Sequence, residues 1–244
     1  MRYTGAVRIM FLLQVLGVLF TSGAATASVA AAPMAAASGA AISSTPGANS
    51  RLVIGILSGN LGLMRSAIDD GADVNANTGE GRTPLIVAAM STHPDAVKLL
   101  LDRGADPSKK AEDPAIGNAL TAAFFSSNGT ELTGLADEPD PRKHEAALEV
   151  LRLLAATKAD RNLLVRRAGT DMTVLMIAAR WGALDATQIL LKAGADPNVR
   201  NSAKYTALDF ATGGQSGISR ASAADRAAIV SAIQAAGGRK GGGR

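Results

Sequence analysis

The tripeptide Gly-Ala-Asp occurs three times in this chain, and its spacing constrains the fold more than any other feature. The copies begin at Gly71, Gly104 and Gly194, and a degenerate copy, Lys-Ala-Asp, begins at Lys158. The first two copies are 33 residues apart. A period of this length predicts a solenoid, in which each unit buries its apolar face only against its neighbours. Such a chain is expected to bind other molecules rather than to enclose a catalytic pocket.

A second repeated block precedes the tripeptides and indicates what each unit contains. It reads Thr-Pro-Leu-Ile-Val-Ala-Ala at 83–89 and Thr-Val-Leu-Met-Ile-Ala-Ala at 173–179, with weaker copies at 118–123 and 206–211. Thr is a good helix N-cap, and Pro suits a first helical turn. The Leu-rich run that follows fits the buried stripe of a second helix, and Gly supplies a left-handed C-cap. Each unit is therefore predicted to be a helical hairpin.

Together these blocks resemble the ankyrin repeat, whose pattern is Thr-Pro-Leu-His-x-Ala-Ala, a turn, a Val/Leu helix and Gly-Ala-Asp-x-Asn. The resemblance covers residues 51–238, with the fullest copies at 81–113 and 169–201. It implies about five repeats in an all-α ankyrin-repeat solenoid of stacked helix-turn-helix units with short β-turn fingers. This chain replaces the His of the pattern, so we expect its usual cap hydrogen bonds to be lost. The replacing residues are Ile86, Thr121, Met176 and Asp209.

The third repeat is irregular. Its first helix is expected at about 119–125 and its second at about 144–156, and the intervening residues 126–143 are polar, acidic and rich in turn formers. We predict an exposed insertion there, because the stretch is too long for a tight turn and too poor in apolar residues for a strand. Two roles remain open: a flexible connection without function, or a loop that contacts a partner.

The N-terminal residues 1–27 have the plan of a secretory signal peptide. Arg2 and Arg8 precede an apolar run at 9–20, and Ala-Thr-Ala at 25–27 fits a cleavage site. The run is too short for an ordinary membrane span, and the 244-residue sequence contains no Cys for a lipoprotein anchor. We expect a periplasmic or secreted protein with no stable membrane span after cleavage. An uncleaved membrane anchor is the alternative.

The rest of the chain divides by composition. Residues 28–50 are rich in Ala, Ser, Pro and Gly and are predicted to be a disordered linker before the 51–238 repeat domain. Residues 239–244 are predicted to be a basic flexible tail. The formal net charge is +4, but most of the excess lies in the two termini and leaves the repeat domain near neutral. A nucleic-acid partner is therefore not expected.

The sequence offers little for catalysis. Its two His, His93 and His144, are not accompanied by Cys or by metal-ligand spacing, and His93 occupies a turn where ankyrin repeats commonly have His. Phosphate-loop and nucleophile-elbow motifs are absent from the sequence. We therefore predict no catalytic, metal or cofactor-binding residues and a protein that is not an enzyme. We also expect the protein to be a monomer.

Candidate binding residues follow from the resemblance, because ankyrin partners usually lie along the concave face formed by the first helices and the fingers. Trp181 is the only Trp and stands beside Arg180, a composition typical of interface hot spots. The alternative is that Trp181 only covers the adjacent repeat. The full set of candidates is Arg82, Met90, Ser91, Lys110, Arg180, Trp181, Arg200 and Tyr205.

The sequence thus predicts an exported ankyrin-repeat protein, of bacterial and periplasmic type, that binds another protein through its concave face. One alternative is an accessory protein that protects or inhibits a secreted or periplasmic enzyme. Another is a membrane-tethered scaffold with an uncleaved N-terminal helix.

Overall fold

Ten helices in five consecutive pairs make up the part of the chain that the structure describes. The structure is a computed structural model, and it describes residues 47–79, 81–124, 140–167, 170–212 and 221–242. The helices are α1 (Ala48–Ser58), α2 (Leu61–Asp69), α3 (Pro84–Ala89), α4 (Pro94–Asp102), α5 (Ala119–Ala122), α6 (Pro141–Ala155), α7 (Val174–Trp181), α8 (Leu184–Lys192), α9 (Ala207–Thr212) and α10 (Ala223–Ala235). A two-stranded antiparallel hairpin, β1 (Val165–Arg167) and β2 (Thr170–Met172), precedes α7. The predicted fold class is confirmed, with one finger built as a short hairpin.

The helix pairs stack in two layers. In the first layer α1 contacts α3, α3 contacts α5, and α7 contacts α9. In the second layer α2, α4, α6, α8 and α10 each contact the next. Buried Ala pairs, 88–89 and 178–179, lie on the first-layer helices and allow close approach between units. Each unit thus buries its apolar surface against its neighbours, as the repeat period predicts.

Polar side chains cap the first-layer helices. Thr83, Asn118 and Thr173 each accept a hydrogen bond from the backbone N–H three residues later, at 3.3, 3.0 and 3.2 Å. These bonds satisfy N–H groups that have no partner within the helix. The repeated Thr therefore marks helix starts, as predicted.

The expectation that cap hydrogen bonds are lost with the His of the pattern is wrong at two positions. The Thr173 N–H donates to the sulfur of Met176 at 3.4 Å. The Thr206 N–H donates to the carboxylate of Asp209 at 2.8 Å. Both acceptors stand three residues after the cap, where a side chain of sufficient length reaches back to the cap N–H.

The Gly-Ala-Asp turns end the second-layer helices. Gly71, Gly104 and Gly194 have φ of 90°, 85° and 88°, the left-handed conformation that glycine adopts without steric cost. The degenerate third copy has no glycine. There the guanidinium of Arg161 donates to the carbonyls of Ala155 at 2.9 Å and Thr157 at 2.8 Å. A side chain thus provides hydrogen-bond donors for the backbone carbonyls at the C-terminal end of α6.

Several element boundaries differ from the predicted ones. Helix α1 begins at Ala48, inside the predicted linker 28–50. Helix α6 begins at Pro141, inside the predicted insertion 126–143, because Asp140 caps it by accepting the N–H of Arg142 at 2.9 Å. Helix α5 ends at Ala122, short of the predicted 125. The remaining insertion residues 126–139, the predicted signal peptide and most of the predicted linker lie outside the described residues.

Asn side chains link consecutive repeats. The amide oxygen of Asn75 accepts the Asp106 N–H at 2.7 Å, and its amide nitrogen donates to the Gly104 carbonyl at 3.0 Å. The same link recurs along the stack in the bonds from the N–H groups of Asp196 and Arg239 to Asn162 and Asn198 respectively. We call this set the Asn ladder. It joins the turn of each participating repeat to the unit before it.

The described part of the predicted tail is held against the last repeat. Gly237, with φ of 83°, takes the place of the glycine of Gly-Ala-Asp, and the Arg239 N–H continues the Asn ladder. The Thr206 hydroxyl donates to the Arg239 carbonyl at 2.7 Å, and the Gly241 N–H donates to Asp209 at 2.7 Å. Residues 237–242, here called the closing segment, therefore complete the fifth repeat. The prediction of a flexible tail from 239 is wrong for residues 239–242, which these hydrogen bonds hold against the last repeat.

The carboxylate of Asp209 joins the cap of α9 to the closing segment. Burial alone would raise its pKa, but the N–H groups of Thr206 and Gly241 and the Thr206 hydroxyl outweigh that effect, with a smaller contribution from Lys240. The pKa of Asp209 consequently lies below its usual value.

We predict that Leu100→Ala on α4 and Leu190→Ala on α8 each lower the free energy of unfolding by about 2–5 kcal/mol, the usual result of emptying a core site. Both side chains are fully buried. Chemical denaturation followed by circular dichroism measures the change. Lys98→Ala, at an exposed position of α4, is the control and should alter stability by less than about 0.5 kcal/mol. A loss no larger than that control at either Leu would contradict the assigned core.

We predict that Asp209→Ala lowers the free energy of unfolding at pH 7 by about 1–3 kcal/mol, because the carboxylate accepts three hydrogen bonds. Since folding lowers the pKa of this carboxyl, its stabilisation is present above the unfolded pKa of about 3.9 and is lost as pH falls below it. The difference between wild type and variant should therefore shrink below about pH 4.

The control is Asp102→Ala. Asp102 is exposed at the end of α4 and accepts no hydrogen bond within the described residues. Its substitution should change stability little at either pH. An Asp209→Ala loss that stays constant down to acid pH would show that the ionised carboxylate does not hold the closing segment.

Candidate protein-binding surface

Turns between the helix pairs pack side by side into a continuous row. The first turn contains Asn77 and Gly81, and the second spans 110–118. The Glu112 N–H donates to the Gly81 carbonyl at 2.8 Å, and the Asn77 amide donates to the Glu112 carboxylate at 2.6 Å. A Cβ on Gly117 would lie 2.6 Å from Val165 Cγ1, so the second turn meets the hairpin closely. We call these turns, the hairpin and the later turn 201–205 the finger row.

The hairpin meets the last turn of the finger row through one carboxylate. The Ser202 N–H donates to both oxygens of Asp171 at 3.1 Å, and its hydroxyl donates to the same group. The Ser202 hydroxyl is the main reason why the pKa of Asp171 lies below its usual value. This carboxylate therefore stays ionised at neutral pH and holds two fingers together.

Arg180 and Trp181 lie together at the end of the first-layer helix α7. The guanidinium carbon of Arg180 is 5.8 Å from the centre of the Trp181 ring, within the range of a cation–π contact. Both side chains are half-buried, and Trp181 packs in part against the core. Arg180 also reaches back to the hairpin, where its nitrogen is 3.9 Å from the sulfur of Met172. The two candidates thus link helix and finger row on one surface.

Tyr205 and Arg200 belong to the next finger. The Tyr205 ring packs edge-on against Phe210 of α9, with ring centres 6.0 Å apart, and the Tyr205 N–H donates to the Asn201 side chain at 2.8 Å. Arg200 is exposed. Tyr205 is therefore a half-buried, fixed aromatic, and Arg200 projects into solvent beside it.

The four candidates of the second repeat are more widely spread. Met90 ends α3 and packs partly against the core, and the hydroxyl of Ser91 donates to the Ala88 carbonyl at 2.7 Å. Arg82 is half-buried at the base of the first finger, whereas Lys110 is exposed on the second finger, which its backbone bridges to Asn118. In the repeat register Met90 and Ser91 correspond to Arg180 and Trp181.

The two His residues have structural neighbours. The ring of His93 lies so close to Gly59 that a Cβ there would be 2.8 Å from it, in keeping with the structural role predicted for His93. His144 on α6 is 3.5 Å from the Asp185 carboxylate on α8.

Within the described segments no group of three His, Cys, Asp or Glu is placed to hold a metal ion. None of the ten described helices combines the length and apolarity needed to cross a bilayer.

Sequence reasoning missed two exposed apolar side chains on α1. Ile54 and Leu57 are 45% and 47% exposed. In the repeat register they correspond to Val87 and Met90, so aligning the first helix with the second repeat would have found them. They extend the apolar part of the first-layer surface to the first repeat.

Comparison with known families agrees with this architecture. A model described as ankyrin repeats (3 copies) matches residues 43–112, and one described as ankyrin repeats (many copies) matches residues 154–211. Together they cover more than half of the 244 residues.

Individual proteins give the same result over part of their length. The human ankyrin repeat, SAM and basic leucine zipper domain-containing protein 1 is 34% identical over 124 residues, which are 51% of this chain and 22% of that protein. Its counterpart from Dasypus novemcinctus is 30% identical over 141 residues, 58% of this chain and 25% of that protein. The chain therefore spans about a quarter or less of these curated relatives. With five helix pairs, Gly-Ala-Asp turns and both family matches, this chain belongs to the ankyrin-repeat family.

Proposed function

We propose that this chain is an exported ankyrin-repeat protein that binds another protein through its concave face, the surface of first-layer helices and fingers. Ankyrin repeats typically mediate protein–protein interaction, and ankyrin-repeat proteins are usually non-enzymatic binding modules. The binding role is therefore expected from the family, whereas the export and the particular residues are our proposal.

The observation that carries the proposed site is the pairing of Trp181 with Arg180. The indole is half-buried, so part of its surface rests on the core and part remains for a partner. Its contact with the guanidinium restricts both side chains before binding, which lowers the conformational entropy lost in a complex. Trp and Arg are the residues most enriched among hot spots.

The N-terminal sequence supports export. Arg2 and Arg8 precede a short apolar run and an Ala-x-Ala site, the order that export machinery recognises. Export would place the repeats in the periplasm or outside the cell, where their partner would also lie.

Two other functions share the same fold. An accessory protein that protects or inhibits a secreted or periplasmic enzyme would use the same surface, and loss of the enzyme's activity or stability in its absence would identify it. A membrane-tethered scaffold would retain the N-terminal apolar run, which the mass of the mature protein reveals directly.

We predict that Trp181→Ala weakens binding to the main partner by about 2 kcal/mol or more, the usual threshold of a hot spot. The partner is first captured by crosslinking in the cell envelope and purified, and calorimetry then measures its affinity for each variant. The stability of the variant should fall less than that of Leu190→Ala, because Trp181 is only half-buried.

Lys192→Ala is the control, since Lys192 is exposed on the second-layer helix α8. It should alter neither affinity nor stability. If Trp181→Ala folds and binds normally, the site lies elsewhere on the first-layer surface. If it prevents folding, the indole acts as a core residue.

We predict that the mature protein begins between Ala25 and Ala31 and is recovered in the soluble envelope fraction. Intact-mass spectrometry measures its N-terminus. Leu13→Arg should block export, because a charge in the apolar run destroys the signal. Full-length wild-type protein in the cytoplasm would contradict export, and full-length protein in the membrane fraction would favour the tethered scaffold.

A further inference from the structure

Ion pairs on the helices balance much of the charge there. Arg51 of α1 lies 2.8 Å from Asp70, Arg103 after α4 lies 3.1 Å from Asp69, and Arg152 lies 2.7 Å from Glu145. The ion pairs found within the described residues all lie in or next to helices. They contribute little individually because they are exposed, but they leave the helical surface with mixed charge.

The C-terminal half of the finger row has a different charge pattern. Its exposed cations come from the hairpin, from the turn before α9 and from the closing segment, and none has a carboxylate within 4.0 Å in the described part of the chain. These residues are Arg166, Arg200, Lys204, Arg239 and Lys240. We call them the basic edge.

Direct contacts show that the segments of the basic edge adjoin one another. Arg166 stands opposite Asp171 in the hairpin register, and Asp171 accepts hydrogen bonds from Ser202 of the next finger. The Lys204 carbonyl in turn lies so close to Gly241 that a side chain there would collide with it. The five cations therefore belong to one continuous surface.

The carboxylates beside the basic edge are occupied by internal hydrogen bonds. Asp171 accepts from Ser202, and Asp209 accepts from Thr206 and Gly241. Asp196, four residues before Arg200, likewise accepts the Asn198 N–H at 2.8 Å. Three carboxylates against five cations leave the edge with a net positive charge. The N-terminal fingers differ, because Glu112 and Asp113 stand close in sequence to Lys110. Positive charge is thus concentrated in the C-terminal half of the row.

We propose that the basic edge docks an acidic segment of the partner protein. This inference rests on the proposed function and names the chemistry of the partner. Like charges held close together on a rigid surface attract an opposite charge over about one Debye length, about 8 Å at physiological ionic strength. An acidic segment would find its charge complement at the edge, with Tyr205 and Trp181 available for apolar side chains.

A protein fits this surface better than a nucleic acid does. A nucleic-acid backbone carries regularly spaced phosphates and favours an unbroken basic face, whereas Asp171 and Asp209 interrupt this edge. An acidic polypeptide can space its charges and apolar residues to match.

Charge reversal at the edge tests the proposal. The probe is a fluorescein-labelled polyglutamate peptide, with oligothymidylate and phosphatidylglycerol–phosphatidylcholine vesicles as competing ligands. Arg200→Glu with Lys240→Glu should weaken peptide binding about tenfold or more, chiefly through slower association. The matched control is Lys98→Glu with Lys192→Glu, exposed positions of α4 and α8, which changes the net charge equally and should weaken binding much less.

Salt dependence of the wild type gives a second readout that needs no variant. Binding to polyglutamate should be lost as ionic strength rises from about 0.1 M to about 1 M, because the screening length falls from about 10 Å to about 3 Å. Salt-independent binding, equal effects of the two double variants, or a preference for oligothymidylate or vesicles over the peptide would each overturn the proposal.

The test separates this inference from the proposed function. If Trp181→Ala abolishes binding to the captured partner while edge reversal leaves polyglutamate binding intact, the proposed function stands and the acidic-segment inference fails. If edge reversal weakens peptide binding while Trp181→Ala leaves the partner's affinity unchanged, the basic edge stands and the Trp181 site fails.

Discussion

The structure depends on hydrogen bonds that one repeat makes to the backbone of the next. A Gly-Ala-Asp turn exposes N–H and carbonyl groups that its own helices cannot satisfy, and Asn75 supplies partners for the turn at Gly104 and Asp106. Each unit also buries its apolar face only against its neighbours, so a single unit is incomplete without the next one. The fold is therefore specified by the period of the sequence and not by any one element, which is the physical meaning of a solenoid.

The ends of such a ladder need separate solutions. At the C-terminal end the chain supplies one itself, since Gly237 and Arg239 reproduce the backbone of a Gly-Ala-Asp turn without its sequence. Asp209, standing where the family pattern has His, then serves both α9 and the closing segment. Asp209, whose departure from the pattern predicted a lost cap, is thus the residue that connects the last helix pair to the closing segment.

These details show which parts of the fold the sequence predicts. Helix pairs, caps and glycine turns were predictable because each depends on a few neighbouring residues with definite backbone preferences. The closing segment was missed because glycine and basic residues are typical of flexible tails, and only three-dimensional contact with Asn198 and Asp209 orders them. The candidate surface was predictable only in part. The family register identified Trp181 and Tyr205 as candidates, but the contact of Arg180 with the indole and the exposure of Ile54 became visible only in the structure.

Negative and positive side chains have different environments along the finger row. Carboxylates accept N–H and hydroxyl donors readily, so Asp171 and Asp209 are bound into the structure and their pKa values fall. Cations cannot accept those donors, and along this edge they remain in solvent. A row of fingers stabilised by carboxylate acceptors therefore presents an excess of positive charge outward. Under the proposal that the basic edge docks a partner, stability and electrostatic selectivity then have the same origin, the backbone N–H groups that the turns must satisfy.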